Sequence, residues 1–248
     1  MAFTFSIITI VKNNSKGLEK TIKSLIKQKY NNFELIVIDG RSTDRTLDVI
    51  KKYKKFINKW VSKKDGGIYY AMNNGIKLSK GKIIGILNAG DTYYPDALSI
   101  INKYQTKHKD VDLFFGTVKK DRIMSGFHPH LLNWKFNVFP GHSSGFFVRK
   151  KIHDCYGLYD QNFKYSSDYD LIYRLIVLKK LRGISTLKKE IIGNFDQFGI
   201  SSRLGFFRTL YEEIKIRFKN NQNVFFIIFL SIIKTLNKIK NLIFPKIK

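Results

Sequence analysis

Three acidic residues follow short apolar stretches in the first half of the chain, where they could hold a metal-bound phosphate. Asp39 follows residues 33–38, Asp65 follows a short stretch ending near residue 61, and Asp91 follows residues 83–87 and a turn of small residues. Taken singly, each could be an ordinary helix cap. Ligands of open α/β sheets collect at the carboxyl ends of strands, so three carboxylates at equivalent ends favour a ligand cleft.

The elements that must position these carboxylates alternate between strand and helix. Apolar runs rich in β-branched residues predict strands at 3–11, 33–38, 58–61 and 83–87, each followed by a helical segment. This alternation predicts an α/β fold with a Rossmann-like, mostly parallel sheet flanked by helices. After residue 110 the pattern is irregular, with strands expected at 113–118, 144–148 and 190–194 and an amphipathic helix at 167–179.

The charge of the chain limits its partners. The 248 residues carry a formal net charge of +26 and a single cysteine. Such a surplus indicates a polyanionic neighbour, which could be nucleic acid, an anionic membrane face or a phosphorylated substrate. The chain has neither the G-x-G-x-x-G fingerprint nor the P-loop, which argues against dinucleotide and P-loop sites. A divalent cation held by one or two carboxylates can instead neutralise a diphosphate.

Five stretches carry a resemblance to a known family. They are SIITIVKN at 6–13, FELIVIDGRSTD at 33–44, DGGIYYAMNNG at 65–75, LNAGD at 87–91 and SDYDLIYR at 167–174. Together they resemble the inverting glycosyltransferases of family 2, which have the GT-A nucleotide-sugar fold. The chain is most similar to small bacterial enzymes that build surface polysaccharides such as capsule, O-antigen or exopolysaccharide.

The resemblance implies a nucleotide-sugar donor, with a UDP-sugar as the default, and a glycan or lipid-linked saccharide acceptor. By position, it implies that six residues bind the donor: Thr9, Asn13, Asp39, Asp65, Asn88 and, through a metal ion, Asp91.

The resemblance also implies where the chemistry takes place. Asp91 would ligate a divalent cation, Mg²⁺ or Mn²⁺, and Gly90 replaces the second acid usual in the family. Asp168 matches the general base that takes the proton of the acceptor hydroxyl. Asp170 and Arg174 are expected on or near the same helical face. Direct displacement with a single base would invert the anomeric centre.

Two further segments leave alternatives open. His142 could contact acceptor or phosphate, or could be a loop histidine with a structural hydrogen bond. The segment 198–203 could form a lid over the diphosphate, or simply cap the helix that follows it.

The C-terminal residues 203–248 form a basic tail in which only Glu212 and Glu213 oppose ten lysines and arginines. Its apolar block at 224–233 is about half the length of a membrane-spanning helix. A helix with an apolar and a lysine-rich face lies in the plane of an anionic membrane. We therefore expect a cytoplasmic protein, peripheral on the inner face of the cytoplasmic membrane, although packing of the block on the core is an alternative.

We expect one glycosyltransferase domain at 1–202, with a nucleotide-binding half at 1–110 and an acceptor-side half at 111–202. Two other functions remain open. The charge could belong to a nucleic-acid-binding protein, although acids at the sheet edge would repel a polyanion. A catalytically inactive sugar-nucleotide binder is the second alternative, suggested by Gly90.

Overall fold

The computed structural model describes residues 3–64, 66–119, 121–136, 143–195 and 205–243. The strands are β1 (Phe5–Val11), β2 (Phe33–Asp39), β3 (Lys59–Ser62), β4 (Ile83–Ile86), β5 (Thr92–Tyr93), β6 (Leu113–Phe115), β7 (Thr117–Lys119), β8 (Ile123–Met124), β9 (Phe146–Arg149), β10 (Gly183–Ser185) and β11 (Ile191–Asn194). The α-helices are α1 (Ser15–Ile26), α2 (Thr46–Lys52), α3 (Ile68–Leu78), α4 (Ala97–Lys107), α5 (Leu131–Trp134), α6 (Lys150–Tyr156), α7 (Ser167–Tyr173), α8 (Phe206–Lys219) and α9 (Val224–Ile243).

The central sheet has seven strands in the order β10-β6-β9-β4-β1-β2-β3. All neighbours are parallel except β9, which runs antiparallel to β4 and β6. Both faces of β1 are covered, because Ile7 packs into one apolar cluster with α1 and Ile8 into another with α3. This double burial is why β1 reads as a continuous apolar run. The predicted α/β architecture is confirmed.

Helix α3 lies very close to β1. A Cβ atom on Gly75 would come within 2.3 Å of the Ile8 side chain. Glycine at position 75 therefore permits a helix–sheet approach that fixes the start of α3 at the carboxyl edge of the sheet.

The strand predicted at 113–118 is in fact two strands in two different sheets. β6 belongs to the central sheet, whereas β7 joins a four-stranded sheet in the order β5-β11-β7-β8. The break occurs at Gly116, whose amide donates to the carbonyl of Gly145 at 2.7 Å. A Cβ atom at position 116 would lie 2.2 Å from Ile192, so the chain crosses between the sheets where only glycine fits.

Helix boundaries also differ from the predicted ones. Asn14, rather than Ser15, caps α1 by accepting a hydrogen bond from the amide of Gly17 at 3.0 Å. The helix predicted at 167–179 is α-helical only to the end of α7 and continues as a π-helical turn over Arg174–Leu178. A single π-helical turn is too short for hydrophobic periodicity to distinguish it from the α-helix that precedes it.

The C-terminal helices pack on the core through a buried cation on α8. Arg217 is fully buried, and its guanidinium uses all five N–H groups. It donates to the hydroxyl of Tyr169 on α7 at 2.7 Å. Its other acceptors are the carbonyls of Leu132, Asn133 and Lys135 and the side-chain oxygen of Gln222. Arg217 therefore fastens α8 to α7 and to the end of α5.

We expect Arg217→Met to lower the free energy of unfolding by about 3 kcal/mol or more, because buried carbonyls would lose their charged donor. Urea denaturation followed by circular dichroism measures the change. Lys215→Met, an exposed cation on the same helix, should stay within about 0.5 kcal/mol of the wild type. Equal stability of the two variants would contradict the anchoring role.

Candidate active site

Four neighbouring parallel strands, β3, β2, β1 and β4, end at the same edge of the central sheet. Asp39 is the last residue of β2, Asn13 follows β1 by two residues, and Asn88 and Asp91 follow β4. Helix α3 starts beyond the end of β3, so its first turn lies at this edge as well. The topology therefore collects the predicted polar residues along one rim.

Asp39 lies beneath this rim and holds its loops in place by hydrogen bonds. Its carboxylate is fully buried and accepts hydrogen bonds from the Ser42 hydroxyl at 2.5 Å and the Ser62 hydroxyl at 2.6 Å. The Ser42 oxygen in turn accepts the amide of Asn13 at 2.8 Å. The side-chain oxygen of Asn13 accepts the amide of Thr43 at 2.7 Å. One carboxylate thus ties together the loops that follow β1 and β2.

Thr9 also lies beneath the rim. It is fully buried inside β1, and its hydroxyl oxygen has no hydrogen-bond partner among the described residues. Asp65, His142 and the segment 198–203 lie outside the described residues.

The loop after β4 is a tight turn held by α1. Gly90 has a φ of 108°, a conformation that disfavours any side chain, so an acid at this position would be strained. Thr21 of α1 accepts the Gly90 amide at 3.0 Å and donates to the Asp91 carbonyl at 2.7 Å. This turn geometry explains why position 90 is glycine, which leaves Asp91 as the single carboxylate of the loop.

Asp91 and Asn88 offer the oxygen atoms that a hard divalent cation prefers. Asp91 is 3% exposed. The pKa of the Tyr93 hydroxyl is raised, first by burial of the tyrosine and second by the negative charge of Asp91. The side-chain oxygen of Asn88 is buried and accepts no hydrogen bond from the described residues, while its amide nitrogen donates to the Ser143 hydroxyl at 3.3 Å. In the described part of the chain no three His, Cys, Asp or Glu residues cluster as a metal site. These two oxygens therefore fit a cation that takes its remaining ligands from phosphate oxygens and water.

Asp168 lies in the first turn of α7 and contacts α3. Its Oδ1 accepts the Tyr69 hydroxyl at 3.1 Å and the amide of Tyr169 at 2.9 Å. Asp168 is exposed to solvent. Desolvation by the neighbouring protein raises the pKa of Asp168, against the two hydrogen bonds, which lower it. Because Tyr69 is in the first turn of α3, Asp168 is held at the same edge as Asp91.

Asp170 and Arg174 do not share the surroundings of Asp168. Asp170 is fully buried and accepts the Arg174 Nε at 2.8 Å. The Arg174 guanidinium also donates to the carbonyls of Tyr156 and Leu158. The expectation of a common face was wrong, since residues two apart on an α-helix point to different sides. The Asp170–Arg174 pair anchors α7 from below, leaving Asp168 toward solvent.

A basic concavity of about 440 Å³ lies at the opposite edge of the sheet. Its charged lining residues are Lys80, Lys82, Lys109, Arg149, Lys150 and Lys151. These residues precede β4 and β6 or end β9, which is the amino edge of the parallel strands. This concavity is therefore separate from the rim that carries Asp91 and Asp168.

Comparison with known proteins identifies the fold and the family. A model described as glycosyl transferase family 2 matches residues 6–165. A PGL/p-HBAD biosynthesis glycosyltransferase of Mycobacterium bovis is 27% identical over 203 residues, which cover 79% of this chain and 77% of that protein. The poly(ribitol-phosphate) beta-N-acetylglucosaminyltransferase TarP of Staphylococcus aureus is 36% identical over 116 residues, or 45% of this chain and 35% of TarP.

Solved structures show the same fold at low identity. Residues 1–349 of S. aureus TarS in complex with UDP-GlcNAc superpose with a TM-score of 0.68 and 16% identity, covering 89% of this chain and 68% of that TarS fragment. A mannosyltransferase from Pyrobaculum calidifontis in complex with GDP-Man and Mn²⁺ also has a TM-score of 0.68, at 15% identity, over 90% of this chain and 65% of its own. The predicted GT-A fold and glycosyltransferase class are confirmed. Because the family model spans more than half of its residues, this chain belongs to glycosyl transferase family 2.

Proposed function

We propose that this glycosyltransferase moves a sugar, with inversion, from a UDP-sugar to a hydroxyl of a glycan or lipid-linked acceptor in surface polysaccharide synthesis. The observation that supports it most is the placement of Asp168, an exposed carboxylate bonded to the first turn of α3 at the edge that carries Asp91. The likeness to TarP, an N-acetylglucosaminyltransferase by name, favours UDP-GlcNAc as the first donor to test.

Asp168 is the proposed general base. As the acceptor oxygen bonds to the anomeric carbon, the carboxylate takes the hydroxyl proton while the bond to the diphosphate breaks. A raised pKa suits this task, because a base is most effective when its pKa lies near the working pH. Tyr69 orients the carboxylate through its hydrogen bond, which leaves the second oxygen for the acceptor hydroxyl.

The rim residues are the proposed donor site. Asn13 and Asn88 would contact the nucleotide sugar, with Asp65 as a further contact. Thr9 and Asp39 support the floor, since both are fully buried. Residues 1–110 would form the nucleotide-binding half and residues 111–202 the acceptor-side half.

A divalent cation, Mg²⁺ or Mn²⁺, is the proposed cofactor, with Asp91 as its protein ligand and Asn88 beside it. When bound, such a cation stabilises negative charge on the departing diphosphate. The Mn²⁺ in the P. calidifontis mannosyltransferase structure is in keeping with this proposal.

We propose that helix α9 contacts an anionic membrane, at the inner, cytoplasmic face of that membrane. No described helix has the length and apolar character to cross a bilayer. Ile227 and Leu230 pack on the core, whereas the other side of α9 exposes apolar residues. These include Phe225 (81% exposed), Ile228, Phe229, Ile232, Leu236 and Leu242. Exposed Lys238 and Lys240 and the net charge of +26 suit an anionic lipid surface rather than a second copy of this chain.

The donor is tested by screening nucleotide sugars for metal-dependent thermal stabilisation and for release of nucleoside diphosphate with saccharide acceptors. An inactive binder would be stabilised but release nothing. A nucleic-acid-binding protein would instead shift random RNA in a salt-dependent gel assay. Either result would overturn the proposed function.

Asp168→Asn should lower the rate of diphosphate release by about a thousandfold while leaving nucleotide affinity unchanged, because the variant removes the proton acceptor only. Wild-type activity should fall as the pH drops through the raised pKa of Asp168, since only the ionised form accepts a proton. Steady-state kinetics and UDP titration calorimetry measure the two quantities. Undiminished turnover in the variant would remove Asp168 as the base.

Asp91→Ala should abolish the difference in UDP affinity with and without Mn²⁺, because the variant lacks the protein carboxylate of the cation site. Calorimetric titration with UDP, with and without EDTA, measures this difference. Asp96→Ala, an exposed carboxylate close by in sequence, serves as the control. A wild type whose UDP affinity does not depend on metal would contradict the assignment.

Serine substitution of Phe225, Phe229 and Ile232 should reduce binding to anionic vesicles by about a hundredfold, since each side chain contributes apolar burial. Co-sedimentation with phosphatidylglycerol vesicles measures binding, and Phe56→Ser, an exposed aromatic elsewhere, is the control. Unchanged sedimentation would contradict the membrane proposal. Self-association that the substitutions abolish, without vesicle binding, would assign the face to a second copy.

A further inference from the structure

Helix α8 contributes a carboxylate that binds the backbone just before α7, the helix that carries Asp168. Glu212 accepts three consecutive amides: Lys164 at 2.9 Å on Oε1, and Tyr165 at 2.8 Å and Ser166 at 2.9 Å on Oε2. Ser166 is the residue that precedes α7, and its side chain makes no capping hydrogen bond. Glu212 therefore holds, from another helix, the backbone that leads into α7, including the amide of its N-terminal capping residue Ser166.

The same segment is joined to Asp168 from the other side. The Tyr69 hydroxyl lies 3.0 Å from the carbonyl of Tyr165 and 3.1 Å from Oδ1 of Asp168. Tyr165 is thus held at its backbone amide by Glu212 and at its backbone carbonyl by Tyr69. Two helices, α8 and α3, fix the residues that lead into the first turn of α7.

We propose that Glu212 is a positioning residue for Asp168, fixing the segment that leads into α7 through three backbone amides. The proposal rests on the proposed role of Asp168 as the base. Among the described residues no hydrogen bond joins Glu212 to Asp168, so Glu212 acts through the backbone of residues 164–166.

Position and charge act together on the base. The charged or titratable groups that face Asp168 are Tyr69 from α3, Tyr159 from the segment after α6, and Glu212 and Glu213 from α8. The negative charge of Glu212 adds to desolvation in raising the pKa of Asp168. Removal of that charge therefore lowers the pKa.

The scaffold holds Glu212 rigidly enough for this role. One and two turns further along α8, Arg217 donates to Tyr169 and Asn220 donates to the buried Asp170 at 3.2 Å. Both acceptors are neighbours of Asp168 on α7. Helix α8 therefore cannot shift along α7 without breaking buried hydrogen bonds, which keeps the Glu212 carboxylate in register with its three amides.

The test is Glu212→Gln in the full chain, with UDP-GlcNAc as donor and UDP release as the readout. The variant loses the charge and replaces one acceptor oxygen by an amide donor. We expect kcat to fall by about ten- to a hundredfold with KM for the donor unchanged, as for a misplaced catalytic group. The acidic limb of the pH–rate profile should move to lower pH.

Glu212→Asp separates the two effects, because it keeps the charge but is one methylene too short to reach the three amides. Its kcat should fall while its acidic limb stays closer to that of the wild type. Glu19→Gln removes a carboxylate of α1 that bonds Lys52 and Tyr53, remote from α7, and should change neither quantity.

A Glu212→Gln variant that folds and keeps the wild-type kcat and acidic limb would overturn the positioning role, while UDP release by the wild type would still support the proposed function. Failure of both Glu212 variants to fold would assign the residue to folding and would also overturn the role. A carboxyl-carbon NMR titration of Asp168 reports the expected pKa decrease without turnover. A wild type that releases no UDP under any condition would instead count against the proposed function alone.

Discussion

Burial of the central parallel sheet on both faces is the constraint from which the rest of the structure follows. Strands β1, β2 and β4 are mostly apolar because helices or loops cover each side, and a polar residue within them such as Thr9 is fully buried, so the polar side chains that can meet a ligand lie at the strand ends. Parallel strands end together at one edge, and this edge collects Asn13, Asn88 and Asp91. The site is thus a consequence of how the core is buried.

The rim is built mainly by hydrogen bonds between side chains and backbone. Asp39 fixes the loop after β2 through Ser42, Thr21 fixes the turn at Gly90, and Glu212 fixes the segment before α7. Each polar side chain holds a loop that has no regular structure of its own. Loops held in this way are ordered before a ligand arrives, which lowers the entropy lost on binding.

The sequence predicted those parts of the fold in which local pattern and burial agree. The four apolar runs gave strands close to their true bounds, and the turn at residues 88–91 was placed correctly at a strand end. The prediction failed where distant contacts decide. Gly116 splits one apolar run between two sheets, and Asp170 turns inward because Arg174 and Asn220 meet it there. The sequence offered one weak signal for Glu212, since Glu212 and Glu213 are the only acids of the basic segment 203–248. This signal did not indicate that Glu212 binds the backbone of residues 164–166.

Helices α8 and α9 connect the backbone before Asp168 with the proposed membrane contact. On α8, Glu212 accepts the backbone amides that precede α7, whereas the adjacent Glu213 is buried against Lys234 of α9. Desolvation raises the pKa of Glu213, and Lys234 lowers it, so the pair depends on the two helices staying packed. If the apolar face of α9 lies in a membrane surface, one helix then connects that surface with the loop before Asp168. The distance from the lipid interface to Asp168, the proposed base, would then be set by side-chain packing between α8 and α9, which would suit the proposed lipid-linked acceptor.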